Sequence, residues 1–383
     1  MNQQASPVTT KQKIAVMLLS AVFAVLLAEF AVRTHDLGTI GTFFSGHRNE
    51  LLTTETVRPF RMFGVDHYQE RDGVRFIASR HGELFPLIKR DDVFRIVVFG
   101  GSTSENPRTF DEYQVHYPLL LQSILNDRNG GKEVEVINVA NNAYSTVHSL
   151  ILLELDVLSW NPDLVVLSHN INDLLAAYWP DFSFDYSSKY SHPFYLRDYR
   201  QTFTLTNALF QHLQVYWIAK STMRKASRIA QDPQNTELPR RSYGDELDRD
   251  FLSTFERNLR SFVTLATRNG IQIVLGSQPL HTSVELFNRH MSYKPYNDVV
   301  VYPLHEEFVE HHRSLNDAIE RICDESSDCF FVDNGAVMND RDEYFIDYVH
   351  YSLPGTRALA TNYADLLVAE GRSGKIDLGS APE

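Results

Sequence analysis

The chain has no basic cluster or stripe of the kind that binds nucleic acid. Its formal net charge is −13, with 36 lysines and arginines against 49 aspartates and glutamates. Nucleic-acid-binding surfaces need clustered cations to neutralise phosphates, so we expect no nucleic-acid partner. The apolar fraction of 43% is that of an ordinary globular protein, and 383 residues suffice for one large α/β domain or two smaller ones.

The sequence also lacks the residue spacings that are typical of metal-binding sites. No carboxylate and histidine spacing recurs, and the adjacent His311 and His312 lie on a predicted helix, where neighbouring side chains point apart. We therefore expect no metal ion and no other cofactor. The histidines considered are His148, His169, His281, His290, His305, His311 and His312. Of these, His169 is close to a polar loop and could line a pocket.

The sequence has only two cysteines, Cys323 and Cys329. They lie between the end of a predicted helix and the next predicted strand, and they could be bridged if the domain is exported to an oxidising compartment. At this point paired and free thiols both stay open. We expect neither cysteine to be catalytic.

One long apolar run lies near the N-terminus. Ile14 to Val32 is apolar apart from Ser20 and Glu29, and Lys11 and Lys13 precede it. This length suits a membrane-spanning helix or a signal peptide. The end of the run has no convincing small-x-small cleavage site, which favours an uncleaved anchor. We expect Glu29, near the outer end, to reach the interface at modest cost.

The anchor divides the chain into predicted segments. We expect residues 1–13 to be a cytoplasmic tail, residues 14–32 to be the transmembrane anchor, and the bulk of the chain to be exported. Residues 33–92 have no clear period and mix charge, aromatic residues and glycine. They are interpreted as a connecting arm that packs on the domain.

From Val93 onward, short apolar strands alternate with helical stretches. This alternation predicts a parallel sheet with helices on both faces, which is a three-layer α/β/α sandwich. The predicted strands are Phe94–Phe99, Val134–Asn138, Leu164–Leu167, Ile271–Leu275 and Phe330–Val332. The predicted helices are Tyr113–Asp127, Thr146–Trp160, Arg249–Asn269, Glu306–Cys323 and Pro354–Ala369.

Polar residues follow the carboxyl ends of these strands. The first strand ends in two glycines and then Ser102, and the loops Asn138–Ser145 and Ser168–Asp173 follow the next two. Asp347 and His350 precede the last helix. Open parallel sheets bind ligands at this edge, so we expect the polar loops to lie together there. The Gly-x-Ser-x-Gly elbow of α/β hydrolases is absent, because Ser104 stands where its second glycine should be.

Four blocks, in order, resemble those of the SGNH (GDSL-like) hydrolases. They are Gly100-Gly101-Ser102, Asn138–Ser145, Asn170–Asp173 and Asp347-x-x-His350. The flanks Asn161–Val166 and Pro354-Gly355 agree as well. The resemblance covers roughly residues 93–370, with a long insertion at about 176–248, and is strongest to the bacterial, N-terminally membrane-anchored branch. It implies a flavodoxin-like sheet within an SGNH domain over residues 93–383.

The resemblance also implies roles for named residues. Ser102 would be the nucleophile, His350 the base that takes its proton, and Asp347 the group that fixes the imidazole. The oxyanion would be held by the backbone N–H groups of Ser102 and Ala143 and by the side-chain amide of Asn172.

Two positions depart from the family pattern. Ala143 stands where glycine is usual, and it keeps its N–H in place only if the local backbone tolerates a β-carbon. Gly101 stands where aspartate is usual, so it lacks a side chain that could brace the loop. Neither change removes a catalytic group.

The insertion at about 176–248 is rich in aromatic residues. Such rings could stack on sugars, although they more commonly pack a cap onto a domain. They are Tyr178, Trp179, Phe182, Phe184, Tyr186, Tyr190, Phe194, Tyr195 and Tyr199.

Together these features predict a single-pass protein of the bacterial inner membrane with a periplasmic serine esterase domain. The preferred substrate is an acyl group, by preference acetyl, on a glycan. Two alternatives stay open: an O-acyltransferase that uses the same triad to modify an envelope or exported polysaccharide, and an inactive glycan-binding or assembly protein. The expected partners are an acylated carbohydrate and the membrane itself.

Overall fold

The computed structural model describes residues 9–40, 56–58, 60–128, 131–191, 213, 215, 216, 219, 240–292 and 300–379. The chain forms two compact units. One comprises Met1–Thr54 and Arg197–Asp232, and the other comprises Glu55–Leu196 and Pro233–Glu383.

Strands and helices are numbered along the described chain. The strands are β1 (Thr56–Arg58), β2 (Met62–Gly64), β3 (Tyr68–Arg71), β4 (Val74–Ala78), β5 (Leu84–Pro86), β6 (Val93–Gly100), β7 (Glu133–Asn138), β8 (Leu164–Ser168), β9 (Arg240–Arg241), β10 (Gln272–Gly276), β11 (Tyr302–Pro303) and β12 (Cys329–Val332). The helices are α1 (Thr10–Ile40), α2 (Ser102–Glu105), α3 (Pro107–Tyr113), α4 (Tyr117–Arg128), α5 (Thr146–Leu155), α6 (Ile171–Ala177), α7 (Ser187–Tyr190), α8 (Gly244–Arg268), α9 (Val284–Ser292), α10 (His305–Asp324), α11 (Asn334–Met338) and α12 (Leu353–Arg372). Two 3₁₀ turns occupy Val157–Trp160 and Asp342–Tyr344.

The first unit contains the apolar helix α1. Its segment Thr10–His35 has 26 residues and is long and apolar enough to cross a bilayer, and it fits a signal sequence equally by length and composition. At 1.5 Å per residue it spans about 39 Å, against a hydrocarbon core of about 30 Å. Glu29 is buried, and its carboxylate accepts hydrogen bonds from Arg33 Nε at 2.7 Å and from the backbone N–H of Val215 at 3.0 Å. Glu29 is therefore paired within its own unit.

The second unit opens with two small antiparallel sheets in the predicted connecting arm. One pairs β1 with β2, and the other has the order β3-β4-β5. Asp72 and Gly73 join β3 to β4 with φ of 52° and 76°, the conformation of a tight two-residue hairpin turn. The backbone N–H of Arg80 donates to Asn138 O at 2.7 Å, which fixes this arm to the end of β7.

The central sheet of the second unit is entirely parallel, with the spatial order β12-β10-β8-β6-β7. In order of appearance in the chain this is 2-1-3-4-5, the flavodoxin-like order. Every residue of β6 is buried, because helices cover both faces, and the strand is apolar apart from the buried Arg95 and the final Gly100. The predicted three-layer fold is confirmed.

Helices α4 and α12 pack on one face of the sheet, where Leu121 and Leu359 join the core beside Ile96 and Val98. Helices α5, α8 and α10 form the other layer. On that side the Phe99 ring contacts Phe262 edge to face at 5.1 Å. The strand order reverses between β6 and β8, so the crevice at their carboxyl ends is the expected ligand site.

One predicted helix is wrong at its start. Helix α3 ends at Tyr113, Gln114 has a left-handed φ of 56°, and α4 begins only at Tyr117. Pro118 has no N–H and is tolerated in the first turn of a helix but not in its interior, so one helix could not continue from Tyr113.

Cys323, near the end of α10, and Cys329, the first residue of β12, are joined by a disulfide. The bond closes a short loop at the amino end of β12.

Candidate active site

Ser102 is placed at the carboxyl end of strand β6 by a two-glycine turn. It is the first residue of α2 and is 9% exposed. The first N–H groups of a helix have no intrahelical acceptor, and within the described chain that of Ser102 donates to no other group. The serine therefore presents a hydroxyl and an available N–H at the same point.

His350 connects Ser102 to Asp347. Its Nε2 lies 2.9 Å from Ser102 Oγ, and its Nδ1 lies 3.0 and 2.9 Å from the two carboxylate oxygens of Asp347. This is the geometry of a serine activated by an oriented imidazole. The structure thus brings together the three residues predicted as the triad, from positions 248 residues apart.

The Asp347 carboxylate is held from several sides. Its Oδ1 accepts from the backbone N–H groups of Val349 and His350 at 3.0 and 2.9 Å. Its Oδ2 accepts from Arg108 Nη1 at 3.0 Å and from His290 Nδ1 at 3.2 Å. Burial alone would raise the pKa of Asp347, but His350 and His290 outweigh it and hold the pKa well below its usual range. Asp347 is therefore an anion at every working pH.

The two other predicted oxyanion residues lie beside Ser102. Ala143 has a φ of 63°, so a residue with a β-carbon adopts the left-handed backbone conformation here. Its N–H donates to no acceptor within the described chain. Asn172 Nδ2 donates one hydrogen bond to Tyr144 O at 2.9 Å. A primary amide has two N–H groups, so the second is available to a substrate oxygen.

Gln278, two residues after the end of β10, joins the serine turn to the asparagine turn. Its Nε2 donates to Thr103 Oγ1 at 2.8 Å, and its Oε1 accepts from the backbone N–H of Ile171 at 2.7 Å. The sequence reasoning missed Gln278, although a polar residue at the carboxyl end of the fourth strand was a usable signal. It also missed the contacts of Arg108 and His290 with Asp347.

A buried polar network supports the loops behind the site. The Asp173 carboxylate accepts from Thr146 N at 3.1 Å and from Thr146 Oγ1 at 2.5 Å, at the start of α5. Burial raises the pKa of Asp173 to about 6. His169 is buried, its Nε2 lies 2.7 Å from Ser149 Oγ and its Nδ1 lies 3.9 Å from Asp173 Oδ2, so it is part of this network. Burial lowers the pKa of His169 to about 3, which keeps the ring neutral.

His290, Asp347 and His350 also form a group that could hold a metal ion, with ligand atoms all within 4.8 Å of one another. A cation there would compete with the hydrogen bonds that orient His350 toward Ser102. We therefore interpret the cluster as a proton-transfer arrangement, and the absence of a metal stays a prediction.

The aromatic residues of the insertion mainly pack. Tyr178, Trp179, Tyr186 and Tyr190 are buried, Phe182 is half-buried, and Phe184 is 54% exposed. The remaining rings, Phe194, Tyr195 and Tyr199, lie outside the described residues. The described part of the insertion thus covers the domain with most of its rings.

Comparison with known proteins identifies the family of the chain. The GDSL-like lipase/acylhydrolase family model matches residues 98–358. No curated protein matches the chain. Among solved structures, LAE5, an α/β hydrolase from the metagenome of Lake Arreo, Spain, is 13% identical, with 74% of this chain and 96% of LAE5 covered at a TM-score of 0.39. Axe2, an acetylxylan esterase from Geobacillus stearothermophilus, is 14% identical, with 71% and 93% covered at a TM-score of 0.39. A GDSL-like lipase from Bacteroides thetaiotaomicron is 15% identical, with 71% and 86% covered at a TM-score of 0.38.

The matched region covers most of the chain and includes all four blocks found in the sequence. The protein therefore belongs to the GDSL-like lipase/acylhydrolase family and is a serine hydrolase that acts on ester bonds.

Proposed function

We propose that this protein is a membrane-anchored, extracytoplasmic esterase that removes acetyl groups from a glycan through an acyl-serine intermediate. The observation that supports the chemistry most directly is the 2.9 Å contact between His350 Nε2 and Ser102 Oγ, with the other ring nitrogen bonded to Asp347.

In the proposed reaction, Ser102 Oγ attacks the ester carbonyl carbon while its proton passes to His350 Nε2. The negative oxygen of the tetrahedral intermediate is stabilised by the N–H groups of Ser102 and Ala143 and by the amide of Asn172. His350 then donates its proton to the leaving sugar oxygen, and the C–O bond breaks. A water molecule, deprotonated by His350, then attacks the acyl carbon. The bond from that carbon to Ser102 Oγ breaks, His350 returns the proton to Oγ, and the acid is released.

The extracytoplasmic location is supported by two independent features. Helix α1 is long and apolar enough to cross a bilayer, and Cys323 and Cys329 form a disulfide. Disulfides persist in oxidising compartments such as the periplasm. We expect alkylation of intact cells to leave both thiols unlabelled until a reductant is added. Labelling without reductant would place the domain in the cytoplasm.

The proposed location supports a glycan substrate, because envelope or exported polysaccharides carry acyl groups there. The exposed Phe184 also offers a ring on which a sugar could stack. We would measure acetate release from an acetylated polysaccharide by the detergent-solubilised full chain and by Ser102→Ala. Release by the parent alone supports the proposal. Release from 4-nitrophenyl acetate but not from the polysaccharide would remove the glycan from it.

The O-acyltransferase alternative uses the same covalent intermediate. It differs only in the second step, where a sugar hydroxyl replaces water. Adding an unacetylated oligosaccharide separates the two: transfer predicts an acetylated acceptor in place of free acetate, whereas hydrolysis predicts no effect on acetate release.

A further inference from the structure

The short helix α7 of the insertion contacts the predicted oxyanion site through two consecutive residues. Lys189 Nζ donates to Asn172 O at 2.7 Å, and Tyr190 Oη donates to Ala143 O at 2.6 Å. The lysine is 0% exposed and the tyrosine 2%. Asn172 and Ala143 are the two residues, besides Ser102, that are predicted to hold the oxyanion.

We propose that Lys189 and Tyr190 are positioning residues that hold the oxyanion donors in place, so that part of the insertion supports catalysis. The inference rests on the proposed reaction at Ser102. It assigns a role to a segment that the general hydrolase frame does not explain.

Tyr190 acts on a strained residue. The left-handed conformation of Ala143, with φ of 63°, costs about 1–2 kcal/mol for a residue with a β-carbon. Relaxation to a negative φ would reorient the peptide groups on either side of Ala143, including the N–H that is predicted to hold the oxyanion. The Tyr190 hydroxyl holds the carbonyl of the same residue, and the ring of Tyr190 is itself fixed by an edge-to-face contact with His148 at 4.5 Å.

Lys189 acts on the first turn of α6, where Asn172 lies. Its ammonium group fixes the backbone from which the Asn172 side chain reaches toward Ser102. Burying a lysine costs several kcal/mol unless the charge is compensated, and an apolar side chain of similar length would fill the space without that cost. The nearby Asp173 carboxylate interacts favourably with this charge, and the Tyr190 ring lies 4.8 Å from it. The retained charge is consistent with a functional role.

The test measures kcat and KM for 4-nitrophenyl acetate in matched variants of the detergent-solubilised full chain. We expect Lys189→Met to lower kcat by about 10- to 100-fold and Tyr190→Phe by about 3- to 10-fold, with KM within about twofold, because small displacements of catalytic groups are expensive. Lys89→Met and Tyr68→Phe are the controls, since Lys89 pairs with Asp163 and Tyr68 with Trp160 at the other end of the sheet. They should keep the parent kcat.

A double-mutant cycle separates positioning from general stability. If Lys189 acts through Asn172, then Lys189→Met should change kcat by less than about threefold in an Asn172→Ala background. An equal loss in both backgrounds would show a general structural role and overturn the inference, as would parent-like kcat in Lys189→Met and Tyr190→Phe. Should Lys189→Met fail to fold, Lys189→Arg and Tyr190→Phe carry the same test. A parent chain without turnover would instead refute the proposed function.

Discussion

The amide of Asn172 occupies the space that a β-carbon at Gly101 would need. A β-carbon built on Gly101 would lie 2.3 Å from Asn172 Nδ2 and 3.2 Å from Tyr144 O. Glycine at this position therefore lets the predicted oxyanion donor approach the serine turn.

This contact predicts the effect of Gly101→Ala. The methyl group should displace the Asn172 amide, and kcat should fall by about 100- to 1,000-fold, the usual cost of losing one oxyanion donor. The steady-state rate with 4-nitrophenyl acetate gives the measurement. In an Asn172→Ala background only the milder contact with Tyr144 O remains, so Gly101→Ala should there have a much smaller effect. A large additional loss would mean that the glycine is needed for another reason.

The left-handed conformation of Ala143 predicts that glycine is accepted there. Relief of about 1–2 kcal/mol of strain is offset by about 0.4–1 kcal/mol of added chain entropy in the unfolded state. We expect Ala143→Gly to unfold in urea at the same or slightly higher concentration, with kcat within about twofold of the parent. Ala143→Val, with a β-branched side chain at positive φ, should lose both stability and rate. Equal losses in the two variants would contradict the geometry.

The bond from His290 to Asp347 predicts a supporting role for the second imidazole. His290→Gln should lower kcat by about tenfold, because Asp347 keeps His350 and Arg108 as partners. His350→Ala should cost at least about 10,000-fold, because the base itself is lost. The measurement is kcat of both variants with 4-nitrophenyl acetate, determined side by side. If His290→Gln were as inactive as His350→Ala, His290 would share the proton transfer.

Buried neutral histidines predict that the protein loses stability in acid. Burial lowers the pKa of His148, His169 and His312 to about 3, below the usual value of 6.5. Between these values the unfolded chain binds protons that the folded chain does not, so stability is full above pH 6.5 and falls as the pH is lowered. Each such group contributes up to about 1.4 kcal/mol per pH unit. Asp173 has a raised pKa of about 6, so in the folded chain it takes up a proton at a higher pH than in the unfolded chain. This one group therefore adds stability as the pH falls and partly offsets the loss caused by the histidines.

Urea unfolding midpoints between pH 7 and pH 5 test this expectation. Burial is the cause of the lowered pKa of His312, which makes His312→Gln a suitable variant. Its stability should depend on pH less steeply than that of the parent, by about one proton. An unchanged slope would mean that His312 is already protonated in the folded state.

The order of strands and helices in the domain could be predicted from the sequence, because buried strands are apolar runs and the four blocks lie at their carboxyl ends. The Asp72-Gly73 hairpin was also available as a turn signal. The contacts of Lys189 with the Asn172 carbonyl and of His290 with Asp347 were not, because they join residues 17 and 57 positions apart through loops without a period. The aromatic count of the insertion suggested a cap, but not that Tyr190 would touch Ala143.

The central claim is that Ser102 is a nucleophile activated by His350. We would treat the detergent-solubilised full chain with a fluorophosphonate probe and locate the label by peptide mass spectrometry, with Ser102→Ala and His350→Ala beside it. The account predicts one label on Ser102 in the parent and none at that rate in either variant. A folded parent that stays unlabelled, or a Ser102→Ala variant that labels as fast as the parent, would contradict it.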